Sequence, residues 1–417
     1  MKRILFILFT FIFTTKFIIA FSFVEVGLDR IFVEKEFSQL LKNKKIGLLS
    51  HSAAINREGK HSFEVFLENK DICSLQVVFT LEHGFYGDVH VDSVQECFSL
   101  NSVPIFDYLK FFQNPNQDLL KDLDVVVVDI QDTGTRCYTF VNILYKCMQE
   151  CEKNNISVIV LDRPNPINGL VIDGPIVSPG WESLVGTEGL PLCHGMTIAE
   201  LAKFFQKERS INCNLHIVSM RGWKRSMSFE HTLRTWVPTS PQIPEASTAI
   251  FYPVTGLIGH CSLANIGIGY TLPFKVVAAP WIDELTFVRK LNEFKLSGVT
   301  FIPFRYTPFF GKFKNESCKG VYLIINDHKY FCPVETQFVI MGVLKAMYPK
   351  QFEEAINLML KMKPKTRLFN QIMGGPEVLE IITKKQFITW PLLTICREAR
   401  EKFKIVRQPY LIKDYED

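Results

Sequence analysis

Two stretches gather the residues whose types and spacing suit chemistry. One is Glu82-His83-Gly84-Phe85-Tyr86-Gly87-Asp88; the other runs Asp129-Ile130-Gln131-Asp132-Thr133-Gly134-Thr135-Arg136-Cys137-Tyr138. Together they supply carboxylates, an imidazole, a guanidinium and a phenol. Hydrolysis of a glycosidic bond needs a carboxylic acid beside the leaving oxygen. It also needs a second carboxylate that assists water or attacks the sugar. Glu82, between apolar Leu81 and Phe85, suits the acid, and Asp129 and Asp132 suit the partner. Arg136 suits bidentate capture of a substrate carboxylate. Tyr138, Trp181, Trp223 and Trp236 offer flat faces for sugar rings, and His83 suits orienting a neighbour. The plainer alternative is that Asp132, Thr133 and Gly134 only turn the chain and cap a following helix.

Other chemistries fit less well. A dinucleotide needs Gly-x-Gly-x-x-Gly after the first strand, where this chain has Leu49-Ser50-His51-Ser52-Ala53-Ala54. A phosphate-binding loop with Gly-Lys-Ser/Thr and a Gly-x-Ser-x-Gly elbow are also missing. Asp88-x-His90-x-Asp92 alternates as metal ligands on a strand would, or it is a polar turn. No second histidine-rich cluster accompanies it, so neither metal nor cofactor is expected. A net charge of +4 over 417 residues, without a basic tract interleaved with aromatics, gives nucleic acid no support.

The elements that must position these residues follow a repeating order. Val125-Val126-Val127-Val128 reads as a strand buried on both faces, as in a parallel sheet. Lys45–Leu49, Leu75–Phe79 and Val158–Leu161 read as companion strands, with helices near His61–Glu68 and Phe140–Glu150 between them. The four strands end in Ser50-His51, Glu82-His83, Asp129–Arg136 and Asp162–Asn165. Ligands of open α/β sheets bind beyond the carboxyl ends of the strands, so these clusters should converge. Further on, Thr197 is a good N-cap for a helix reaching Phe205, and Leu215–Val218 reads as another strand. Residues 236–256, rich in proline and aromatics, suggest a rigid wall or lid. From Pro273 onward a smaller α/β pattern follows, with strands near Lys275–Ala278, Val299–Pro303 and Gly320–Ile325 and helices near Glu284–Phe294, Glu335–Tyr348 and Gln351–Lys361.

The fold class is therefore α/β, a Rossmann-like N-terminal domain with a parallel sheet plus a smaller C-terminal α/β domain. Lys2-Arg3, the apolar run through Ala20, and small residues at Ala20 and Ser22 make 1–22 a secretory signal peptide, or else an uncleaved anchor. The expected division is 23–265 for the catalytic domain and 266–417 for the auxiliary one. Export to the periplasm follows, with no membrane contact beyond the signal segment. Oligomeric state is not readable. The 11 cysteines form no disulfide framework and read mostly as small buried hydrophobes. Cys147 and Cys151, four apart on a helix, suit packing or a metal.

The same blocks resemble a known family, the exo-β-N-acetylmuramidases. Its Glu-His-Gly-x-x-Gly-Asp block matches Glu82–Asp88, and its Asp-Ile-Gln-Asp segment matches Asp129–Thr139. Asp162-Arg163-Pro164-Asn165-Pro166, Gly174-Pro175, His194-Gly195-Met196-Thr197, Ser240-Pro241, Tyr252-Pro253-x-Thr255-Gly256 and Ala279-Pro280-Trp281-Ile282-Asp283 follow in order. The resemblance implies a cleft between the two domains and release of N-acetylmuramic acid from the non-reducing end of peptidoglycan fragments. It makes Glu82 the catalytic acid. His83, Tyr138, Asn165 and His194 become substrate-binding candidates beside Arg136, whose assignment to the lactyl carboxylate of the muramyl sugar rests on its charge alone. Two places depart from the family pattern. Gly259-His260-Cys261-Ser262 stands for Glu-Gly-Thr-Asn, and Gly267-Ile268-Gly269-Tyr270 for Gly-Arg-Gly-Thr. A muropeptide-binding protein of the same fold is the alternative these departures leave open.

Overall fold

The computed structural model describes residues 23–88, 98–108 and 120–417. The proposed signal segment lies outside them, as do His90 and Asp92 of the candidate metal motif. Seven strands form the main sheet: β1 (Lys45–Ser50), β2 (Ser74–Thr80), β3 (Phe98–Leu100), β4 (Val103–Asp107), β5 (Val125–Asp129), β6 (Ser157–Leu161) and β9 (Leu215–Val218), in the order β3-β4-β2-β1-β5-β6-β9. Only β3 pairs antiparallel, with β4; every other neighbour is parallel. Without β3 this is the Rossmann order, and the chain reverses direction across the sheet between β1 and β5.

The valine run explains the layering. In β5, Val127 sits between Leu48 of β1 and Ile159 of β6. Val126 and Val128 join one buried cluster with Phe140, Ile143 and Leu144 of the helix Phe140–Lys153. Val125 and Val127 join another with Val24, Leu28, Phe63 and Phe66. Both faces are covered, so a run without polar alternation is what this position requires.

Two further strands, β7 (Asp173–Ile176) and β8 (Pro191–Cys193), pair antiparallel beside the sheet. The C-terminal part holds an antiparallel sheet in the order β10-β12-β11, built from β10 (Val276–Ala279), β11 (Val299–Tyr306) and β12 (Cys318–Ile325). Helices Glu284–Asn292, Pro333–Met347 and Pro349–Lys361 correspond to the expected ones. Helices Lys363–Met373, Glu377–Lys384 and Thr389–Arg407 go beyond them. The proline-rich wall is a wall only in its first half, because Ala246–His260 is helical through Pro253. That helix packs toward the C-terminal part, where Leu257 N donates to Gln337 Oε1 at 3.1 Å.

One hydrophobic cluster runs from Leu49 and Val128 to Phe338, Leu392 and Phe403, so the two parts share a core. Tyr415 adds a tie in the other direction. Its ring packs with Trp223, its hydroxyl donates to Asp162 Oδ2 at 2.7 Å, and it accepts from Met220 N at 2.7 Å. Among the described residues every cysteine is free, and no helix is long and apolar enough to cross a membrane.

Candidate active site

The four strand ends do meet at one edge, since β2, β1, β5 and β6 are adjacent and parallel. Most of their polar groups, however, turn to one another. Arg163 binds both oxygens of Asp129, Nε to Oδ1 at 2.6 Å and Nη2 to Oδ2 at 2.9 Å, with Asp129 0% exposed. His51 Nε2 accepts from Gln131 N at 3.0 Å, and burial pushes this imidazole well below its ordinary pKa, so it is neutral. Asp162 accepts from Thr197 Oγ1, Ala199 N and Tyr415, and burial pushes its carboxyl up to about 7. Asn165 accepts from Ile167 N and donates to Met196 O, forming a local turn. Such mutual satisfaction is what keeps buried polar groups affordable in a sheet.

A cavity of about 760 Å³ opens beside this edge. Glu82 and His83 reach it from beyond β2, and Cys137, Tyr138 and Thr139 from the turn after β5. Glu182–Val185, Ser240, Gln242 and Ile243 complete the near side; Tyr252, Phe274, Arg367, Leu368, Gln371 and Ile372 form the far side. Thr139 Oγ1 donates to Glu82 Oε2 at 2.7 Å, which fixes the carboxyl group. His83 holds a left-handed backbone at φ 74°, followed by Gly84 at φ 77°. A side-chain-bearing residue in that region costs about 1–3 kcal/mol, and such strain concentrates at functional sites. Tyr138 donates to Thr239 Oγ1 at 3.2 Å, and burial raises its phenol pKa.

Of the residues singled out from sequence, Glu82, His83 and Tyr138 therefore share the cavity, while Asp129, Asp132, Arg136, Asn165 and His194 do not line it. Asp132 and His194 pair behind it. Asp132 Oδ2 accepts from Gly134 N at 2.8 Å and lies 3.6 Å from His194 Nε2. His194 Nδ1 accepts from Met196 N, which leaves the ring proton on Nε2, toward Asp132.

Arg136 calls for a correction. Its guanidinium is 1% exposed and donates to the carbonyl oxygens of Val185 (2.9 Å), Ile372 (2.8 Å), Pro191 (3.3 Å) and Pro175 (3.5 Å). Burial lowers its pKa to about 10. A guanidinium committed in this way is not presented to a substrate carboxylate; it pins the helix Lys363–Met373 against β7 and β8. The tryptophans are corrected too. Trp223 is 1% exposed under Tyr415, Trp236 donates to Ile243 O at 3.2 Å, and neither they nor Trp181 line the cavity. Thr139 follows the Asp129–Tyr138 block directly and Ser240 opens the Ser240-Pro241 pair, whereas nothing in the sequence around Arg367 and Gln371 signals a site.

Fold and site together define a two-domain α/β protein in which C-terminal helices close over the carboxyl edge of a Rossmann-ordered sheet. Two family models match in tandem, exo-β-N-acetylmuramidase NamZ N-terminal at residues 46–247 and NamZ C-terminal at 250–412. The chain belongs to this NamZ family. It is 38% identical over 332 residues to the peptidoglycan β-N-acetylmuramidase NamZ of Bacillus subtilis (strain 168), a match covering 79% of each chain. Two crystal structures of DUF1343 family proteins from Bacteroides fragilis NCTC 9343 share the fold. One has TM-score 0.83 at 32% identity, covering 93% of this chain and 98% of that one. The other has TM-score 0.67 at 25% identity, covering 95% and 100%.

Proposed function

We propose that this chain is a glycosidase that releases N-acetylmuramic acid from the non-reducing end of peptidoglycan fragments, acting in the cavity beside Glu82. The observation that carries this reading is the setting of Glu82. Its carboxyl lies on a sugar-sized cavity, with Oε2 held by Thr139 and Oε1 without a partner among the described residues. In this reading Glu82 gives its proton to the glycosidic oxygen as the C1–O bond breaks, and water supplies the hydroxyl that ends on C1 while its remaining proton restores the acid form of Glu82. The family and the B. subtilis relative's name support the substrate class. We take the protein to be exported to the periplasm, on the basic start and apolar run of residues 1–22. Fractionation and N-terminal sequencing of the mature protein check that part.

A second reading, muropeptide binding without turnover, draws on Gly259 and Ile268, the two places where this chain departs from the family pattern that it otherwise resembles. Release of N-acetylmuramic acid from a muramyl–glucosamine disaccharide separates the two. The natural chain should release it, and Glu82→Gln should lower the rate by about 10²–10⁴-fold. Disaccharide binding without release by the natural chain would favour the second reading.

A further inference from the structure

With Arg136 committed to backbone carbonyls, the cavity's positive charge has to come from elsewhere. Arg367, on the helix Lys363–Met373, is the one lysine or arginine among the described lining residues. It is exposed, and no hydrogen bond or ion pair ties it to any described residue. The two lining acids do not neutralise it. Glu182 is bound by Arg209 at 2.6 Å, and Glu82 accepts from Thr139. The helix beneath Arg367 is nevertheless held firmly. Lys365 Nζ donates to Ser262 Oγ at 3.0 Å, Lys365 O meets His260 Nε2 at 2.9 Å, and Ile372 O takes the Arg136 guanidinium. A free guanidinium on a fixed helix, opening on the same cavity as an acid, is a receptor for an anionic group on the substrate.

We propose that Arg367 is a specificity-determining residue that binds the substrate's carboxylate, the lactyl carboxylate in the muramyl sugar. This rests on the glycosidase reading for its substrate class. A carboxylate could also be supplied by a peptide attached to the lactyl group, so the two sources need separate probes. The experiment compares p-nitrophenyl β-N-acetylmuramide, its lactyl amide, and the lactyl amide of an alanine that bears a free carboxylate.

The natural chain should favour the free lactyl acid in kcat/KM. Arg367→Ala should erase that preference, losing about 10–100-fold on the acid while leaving the simple amide unchanged. Arg367→Lys should restore part of it, and the melting temperature should stay put because the side chain is exposed and bonds to no described residue. Equal losses on acid and simple amide, or no loss on the acid, would overturn the proposal while leaving the glycosidase reading intact. A loss confined to the alanyl substrate would overturn the lactyl assignment. If the natural chain turns over none of the three, calorimetry with free N-acetylmuramic acid and N-acetylglucosamine decides. Arg367-dependent binding of the acid alone supports the proposal while removing the glycosidase reading, and no difference between the two sugars overturns the proposal.

Discussion

At the scale of single residues, the carboxylates divide by environment. Glu82 faces open space with one oxygen fixed, whereas Asp129 is enclosed with both oxygens on Arg163. Removing one partner of a buried ion pair costs about 3–5 kcal/mol, because the other charge is left without compensation. Asp129→Asn should therefore lower thermal stability substantially, measured by calorimetry, and any loss of activity should follow the loss of fold. A fully stable Asp129→Asn protein without activity would return Asp129 to the chemistry. The sequence displayed both acids equally well. What it could not display was that Arg163, two residues past the end of its own strand, would reach sideways and occupy one of them.

At the scale of elements, the parallel sheet was legible because Val125–Val128 has no polar alternation and each strand ends in a polar cluster. Convergence at one edge followed from that. The direction in which each cluster faces did not, since it depends on contacts between distant segments. Arg136 shows this most clearly: a charged residue beside a turn reads as a ligand-binding group, yet it serves four carbonyls, one of them Ile372 on a helix absent from the sequence reading. Arg136→Met should free those carbonyls, costing about 2–5 kcal/mol. Hydrogen exchange should then quicken across residues 363–373, with KM rising more than kcat falls. Unchanged protection in that helix would show that Arg136 does not hold it.

At the scale of the whole molecule, Tyr415 and Asp162 join the C-terminal segment to the N-terminal sheet. The Asp162 carboxyl is raised by burial to about 7, against about 3.9 for an aspartate in an unfolded chain. Between those values the folded protein keeps a proton that the unfolded chain has released. Stability from this group is therefore greatest in acid and declines as pH rises from about 4 to 7, by ~4 kcal/mol at most, and is level above that. Asp162→Asn keeps an acceptor for Arg163 N and Ala199 N, and should flatten this decline in denaturant titrations run at several pH values.

The pinning of the helix Lys363–Met373 also has a consequence in time. Protein synthesis delivers Glu82 and Arg136 early and that helix late, with much of the chain in between. Until the helix arrives, the cavity lacks Arg367, Leu368, Gln371 and Ile372 of its far side, and the Arg136 guanidinium lacks one of its carbonyls. A growing chain thus carries the acid without a complete pocket to use it in. An enzyme that digests cell-wall fragments would stay idle until the last of its walls is in place.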